Sequence, residues 1–268
     1  MLMTPSSAPV SAGSDLLPQE RIFYRDRLRE ARYAALADAE GFGAICFALE
    51  ALGLRLLKKQ AALGSYREKI AEQALHSLVL VDMAAVFPSR FKSFEALYTI
   101  VNNARNDAMH TGAYARHATE AAIELCIGLE EALMAEVEQT VGNLMVSSPI
   151  TVEPWQPVAH ARQLMLMHSF SFLPVRLGEA WCLVSELGLA KYLSLGARKA
   201  RLSESIATAS ERGMEVVVIE GRGLLRASMP VGDVLAGARV QDGPMLWLVV
   251  EEQHPERLAG VLSPFELM

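Results

Sequence analysis

The chain has 268 residues, 51% of them hydrophobic and 21% charged, enough for two modest domains and ordinary for globular ones. Its net charge of -6 argues against broad, non-specific adhesion to nucleic acid or to an anionic membrane, and leaves room only for a local basic groove with a small RNA footprint. Cys46, Cys126 and Cys182 are far apart and form no CxxC pair, which argues against a zinc site or a disulfide framework and for reduced, buried thiols in a cytoplasmic protein.

Residues 1–14 are rich in Ser, Ala and Pro and carry no basic residue. They have neither the charged start nor the apolar core of a signal peptide, and residues 1–18 are expected to form a flexible tail. No run of about 18 apolar residues occurs, so no membrane-spanning helix is expected. The most apolar stretch, 42–57, is interrupted by Glu50 and Arg55.

Residues 19–140 read as helical throughout. Ile45, Leu49, Leu52 and Leu56 recur at the three-to-four spacing of one helix face. Phe94, Leu97, Val101, Ala104 and Ala108 repeat it behind Ser93, an N-cap residue type. Ala122, Cys126, Leu129, Leu133 and Val137 make a third stripe, while Gly41, Gly64, Pro88 and Gly112 fall between the periodic segments, where helices end. Four or five helices with short connections predict an antiparallel bundle.

From residue 141 the pattern changes to prolines and short β-rich runs. Strands are expected at 150–152, 172–175 and 181–184, with a helix over 158–168. A second set follows: a strand at 215–219, a helix over 231–235, and strands at 246–250 and 258–262. This is a degenerate internal repeat over 141–268. The fold class is α plus α/β, a helical bundle followed by an α/β module.

The densest polar cluster is Asn102-Asn103-Ala104-Arg105-Asn106-Asp107-Ala108-Met109-His110. On a helix, Asn106 and Asp107 lie four and three residues before His110, within side-chain reach. The exposed carbonyls of a helix C-terminus favour the protonated imidazole. A His that moves a proton and an Arg that stabilises a charged phosphorane suit RNA cleavage. The bland alternative is that Arg105 and His110 cap carbonyls and pair with Asp107. His76, His160, His168 and His254 show no ligand spacing, and no metal site is expected.

Arg105, Asn106 and His110, late in a helical region, resemble the signature of the HEPN family over residues 19–140. That resemblance implies a metal-independent endoribonuclease, with no required cofactor. It would work as a homodimer whose Arg and His side chains line one cleft, cutting RNA to a 2′,3′-cyclic phosphate. It also implies a toxin or phage-defence role, with an antitoxin as partner, and gives no reason to expect DNA. Inactive members of the family serve as binding modules. Tyr114 stands four residues after His110, not the two at which some members carry a modifiable Tyr, and reads as a packing residue. His117 reads as a surface residue.

Val141-Gly142-Asn143-Leu144-Met145 with Ser148-Pro149-Ile150-Thr151-Val152, then Phe172-Leu173-Pro174-Val175 and Leu183-Val184-Ser185, are similar to a CBS repeat. Leu246 to Val250 and Gly260 to Leu267 are similar to the later parts of a second one. The resemblance implies a pair that binds adenosine-containing ligands, with a hydroxyl and a carboxylate three residues later holding phosphate and ribose. Ser263 and Glu266 occupy those places. In the first repeat Gly188 stands where the carboxylate should be, three residues after Ser185. An adenine nucleotide is then a candidate regulator, and a non-catalytic dimeric scaffold or sensor is the alternative to the ribonuclease. Without any ligand, Ser263 and Glu266 also make sense as a helix N-cap and a first-turn acid.

Overall fold

In a computed structural model of the chain, the described residues are 16–38, 41–111, 116–239 and 245–268, except for the side chains of 108–111 and 116. They divide into two compact units between Glu138 and Gln139. Among the described residues, no helix is long and apolar enough to cross a membrane.

The first unit consists of helices α1 (Pro18–Ala37), α2 (Phe42–Leu57), α3 (Arg67–Ala74), α4 (Ala84–Val86), α5 (Phe94–Thr111) and α6 (Arg116–Met134). Pro18 opens α1, where its missing N–H costs no hydrogen bond, and the Glu20 carboxylate accepts the Leu17 N–H at 2.9 Å. Within the expected tail 1–18, Leu16 is buried and Leu17 and Pro18 already belong to the start of α1; residues 1–15 lie outside the described residues. The three apolar stripes form one core: Ile45, Leu49, Leu52 and Leu56 of α2, Phe94, Leu97 and Val101 of α5, and Ala122, Cys126, Leu129 and Leu133 of α6. Val137, expected to extend the third stripe, lies beyond the end of α6. Ser93 caps α5 as expected, its hydroxyl accepting the Ala96 N–H at 3.4 Å. The expected helix break at Gly112 and the packing of Tyr114 lie outside the described residues.

Helix α1 packs between α2 and α6 with a face made partly of arginines. Arg21, Arg25 and Arg32 are buried. Two carboxylates beyond α1 take up much of this charge. Arg32 makes a bidentate pair with Glu130 of α6 at 2.7 and 3.0 Å, and Arg29 reaches the same carboxylate at 3.5 Å. Arg21 donates to Glu136 at 2.8 Å. Donating hydrogen bonds to the Glu130 carboxylate raises the Arg32 pKa, while burial lowers that of Arg25.

The second unit contains two repeats that exchange their first strands. The first holds α7 (Val141–Leu144), β1 (Val146–Ser147), α8 (Val158–His168), β2 (Phe172–Leu177), β3 (Ala180–Ser185) and α9 (Glu186–Ser194). After α10 (Arg198–Ser203) the second holds α11 (Ile206–Glu211), β4 (Val216–Ile219), β5 (Leu224–Arg226), α12 (Val231–Gly237), β6 (Trp247–Val250) and β7 (Leu258–Leu262). One sheet has the order β2-β3-β4 and the other β1-β7-β6-β5. Each repeat therefore lends a strand to the sheet of the other. Among the described strands only β5 and β6 pair in parallel, joined by the crossover helix α12.

The backbone hydrogen bonds repeat this exchange. Gly142 N–H donates to the Ala227 carbonyl (2.8 Å), Val141 to Met229 (2.9 Å) and Val231 to Gln139 (3.0 Å). The mirrored set runs from Ala207 to Pro154 (3.0 Å), Ile206 to Gln156 (2.9 Å) and Val158 to Glu204 (2.9 Å). The second repeat thus begins near Glu204, earlier than the expected strand at 215. The expected strand at 150–152 does not form; Val152 N–H alone donates to the Pro174 carbonyl at 3.0 Å. Pro149 and Pro154, which carry no N–H, flank that segment.

Candidate functional site

In the helical unit, Arg105 and Asn106 lie on α5, with the backbone of His110 in its last turn. Asn106 is exposed, and Asn106 and His110, four apart, share one side of the helix by position. Arg105 and His110, five apart, are turned about 140° from each other around the axis. The His110 side chain lies outside the described residues. The Arg105 guanidinium turns toward α2, where its Nε sits 2.6 Å from Glu50 Oε1. Glu50 had stood out in the sequence only as an interruption of an apolar run. A charged residue amid a buried helix stripe was the signal that it needed a cation. The neighbouring Cys46 thiol is pushed up to about 12 by burial, with Arg105 pulling it down more weakly. His117 is exposed, as expected.

In the second unit, Ser263 and Glu266 satisfy each other. Glu266 Oε2 accepts the Ser263 N–H at 2.7 Å and the Ser263 hydroxyl at 2.5 Å. The same hydroxyl accepts the Phe265 N–H at 3.2 Å. This is a capping box at the start of the final 3-10 turn, Pro264–Leu267. Ser185 caps α9 in the matching place of the first repeat, accepting the Gly188 N–H at 3.0 Å. A Cβ at Gly188 would lie 2.3 Å from the Glu215 carbonyl oxygen, so no carboxylate-bearing residue fits there without moving the backbone.

A concavity of the unit lies between its two sheets and has a volume of about 1000 Å³. Phe172 and Leu183 form one wall together with Val217 and Ile219. The register explains that wall: Leu183 pairs with Val217 and Trp181 with Ile219, so Val217 and Ile219 point to the same face as Leu183. Leu225 and Trp247 of the other sheet lie opposite. Val217 keeps 47% of its surface exposed, on the edge strand β4 and bordering the cleft. Arg222, Asp233 and Arg239 supply the charged part of the lining. Arg222 lies along the end of α12, its Nη1 3.9 Å from where a Gly237 Cβ would stand, near carbonyls that favour a cation. Neither Ser263 nor Glu266 belongs to the lining of this cleft. Sequence reasoning missed Arg222, although the Gly-Arg-Gly that carries it is visible in the chain. Among the described residues, no cluster of His, Cys, Asp and Glu could hold a metal ion.

No protein-family model matches the sequence, and a comparison with curated proteins gives no match. Among solved structures, the chain is similar to a Vibrio cholerae protein described as an acetoin utilization protein, AcuB. That likeness has 11% identity and a TM-score of 0.39, over 49% of this chain and 88% of the other. CBSX2 in complex with AMP is similar at 17% identity and a TM-score of 0.35, over 48% of this chain and 92% of its own. The CBS domain pair of MJ0100, in complex with 5-methylthioadenosine and S-adenosyl-L-methionine, is similar at 14% identity and a TM-score of 0.35, also over 48% and 92%.

Proposed function

We propose that this chain is a non-catalytic sensor whose second unit binds a phosphate-bearing, adenosine-containing ligand in the cleft between its sheets. One observation carries the proposal: an open cleft of about 1000 Å³ with apolar walls and a charged edge. Small-molecule sites have this composition, and volumes of about 300–1,000 Å³. A purine would lie against the Leu183 and Val217 wall, and its phosphate would be met by Arg222. Ser263 and Glu266 already satisfy each other's main hydrogen bonds, so their role in this reading is structural.

A thermal-shift series with AMP, ATP and S-adenosyl-L-methionine on the full chain tests it. Saturable stabilisation is expected. Arg222→Ala should weaken the affinity by about ten- to a hundredfold, the range for one charge-assisted contact. Glu266→Ala should leave it nearly unchanged. Absence of stabilisation by any adenine compound counts against the proposal, and loss of binding in Glu266→Ala would move the site to the Ser263 motif.

RNA cleavage by a homodimer through Arg105, Asn106 and His110 is the second reading, favoured by the solvent-facing Asn106 beside a half-buried Arg105. Against it stands the Glu50 carboxylate, which already neutralises that guanidinium. Incubating the protein with mixed RNAs in EDTA separates the two readings. Cleavage that disappears in His110→Ala would establish the enzyme, whereas intact RNA leaves the sensor.

A further inference from the structure

Helices α1 and α2 share an outward face with two large exposed aromatic side chains, Phe23 at 56% and Phe47 at 64% exposure, the Phe23 ring edge-on to Tyr24 of its own helix. Between them runs a shallow groove whose α1 side is formed by Phe23, Asp26, Arg27, Glu30, Ala31 and Ala34. Adjoining exposed aromatics on a charged helix pair mark an interaction surface rather than scattered apolar residues.

We infer that this face docks a second copy of the chain, α1 lying antiparallel on α1 about a two-fold axis between residues 28 and 29. Any helix stripe with this spacing is palindromic in position. Here the chemistry is palindromic as well. The axis sets Phe23 over the partner's Ala34, a large side chain over a small one. It sets Arg27 against the partner's Glu30, an opposite-charge pair that the symmetry makes twice. Asp26, at the rim of this stripe, needs no new cation, because its carboxylate already lies 2.8 Å from Arg25 Nε. A two-fold interface must be self-complementary, and this stripe is complementary to itself in both size and charge. An unrelated partner would need to match the same alternation by coincidence. This inference is independent of the ligand cleft.

Sedimentation equilibrium of the full chain tests it, with circular dichroism as a check on folding. The wild type should self-associate, and Phe47→Glu and Arg27→Glu should each weaken association by about tenfold or more. Glu30→Arg should do the same alone. Mixing the Arg27→Glu and Glu30→Arg proteins should restore association as a heterodimer, because both crossed pairs then become attractive. Simple damage to the fold could not produce that rescue. A wild type that stays monomeric up to its solubility limit overturns the inference. So does association that survives both Phe47→Glu and Arg27→Glu, or a mixture that gains nothing over its components.

Discussion

At residue 188 the difference between the two repeats reduces to one contact. A methyl group there would stand 2.3 Å from the Glu215 carbonyl oxygen, well inside van der Waals contact. The absence of a carboxylate is therefore built into the backbone of the following repeat, and restoring one by substitution should not create a ligand site. Gly188→Asp is expected to destabilise the protein by about 1–3 kcal/mol, the cost of overpacking, and to add no nucleotide affinity. Urea denaturation beside a nucleotide titration would check both halves of that expectation. Ser263 and Glu266 show the complementary case. A hydroxyl and a carboxylate three residues apart fit both a ribose-binding pair and a capping box, and the sequence holds no feature that separates the two. Only the 2.5 and 2.7 Å hydrogen bonds between them do.

At the scale of elements, α1 is the least conventional part. Its buried face carries Arg21, Arg25 and Arg32, with Glu130 of α6 as the acceptor that both Arg29 and Arg32 reach. Glu130→Gln removes the negative charge and leaves a buried guanidinium uncompensated, at a cost of about 3–5 kcal/mol. Chemical denaturation should show that loss. Replacing exposed Glu95, whose partner Arg67 is also exposed, should cost less than about 1 kcal/mol. The stripes of α2, α5 and α6 were legible because apolar residues at helical spacing fill a core directly. The arginine face of α1 was not, since charge at helical spacing reads equally well as a solvated surface until the partner helix is placed. Among the β elements, the helix over 158–168 and the strand over 258–262 were readable to the residue. Strands β1 and β5 span two and three residues, too short for alternation to register. The β-branched triplet 150–152 looked like a strand, yet proline at 149 and 154 leaves it a single hydrogen bond to β2.

At the scale of the whole molecule, the internal repeat was legible but its exchange was not. Pro157-Val158 and Pro230-Val231 each begin a helix, and each is tied to the start of the other repeat by matched backbone hydrogen bonds. Those pairings join residues more than 40 positions apart, which no local pattern announces. The exchange leaves Leu183 and Val217, from different repeats, side by side on one wall of the cleft, so the candidate site exists only once both repeats have formed. Calorimetric titration of the full chain with AMP, beside a Val217→Trp variant that fills the cleft from an exposed wall position, tests this most directly. One AMP per chain is expected for the wild type, with no heat of binding for the filled variant. Binding that persists unchanged when the cleft is filled, or a wild type that takes up no adenine nucleotide, would contradict it.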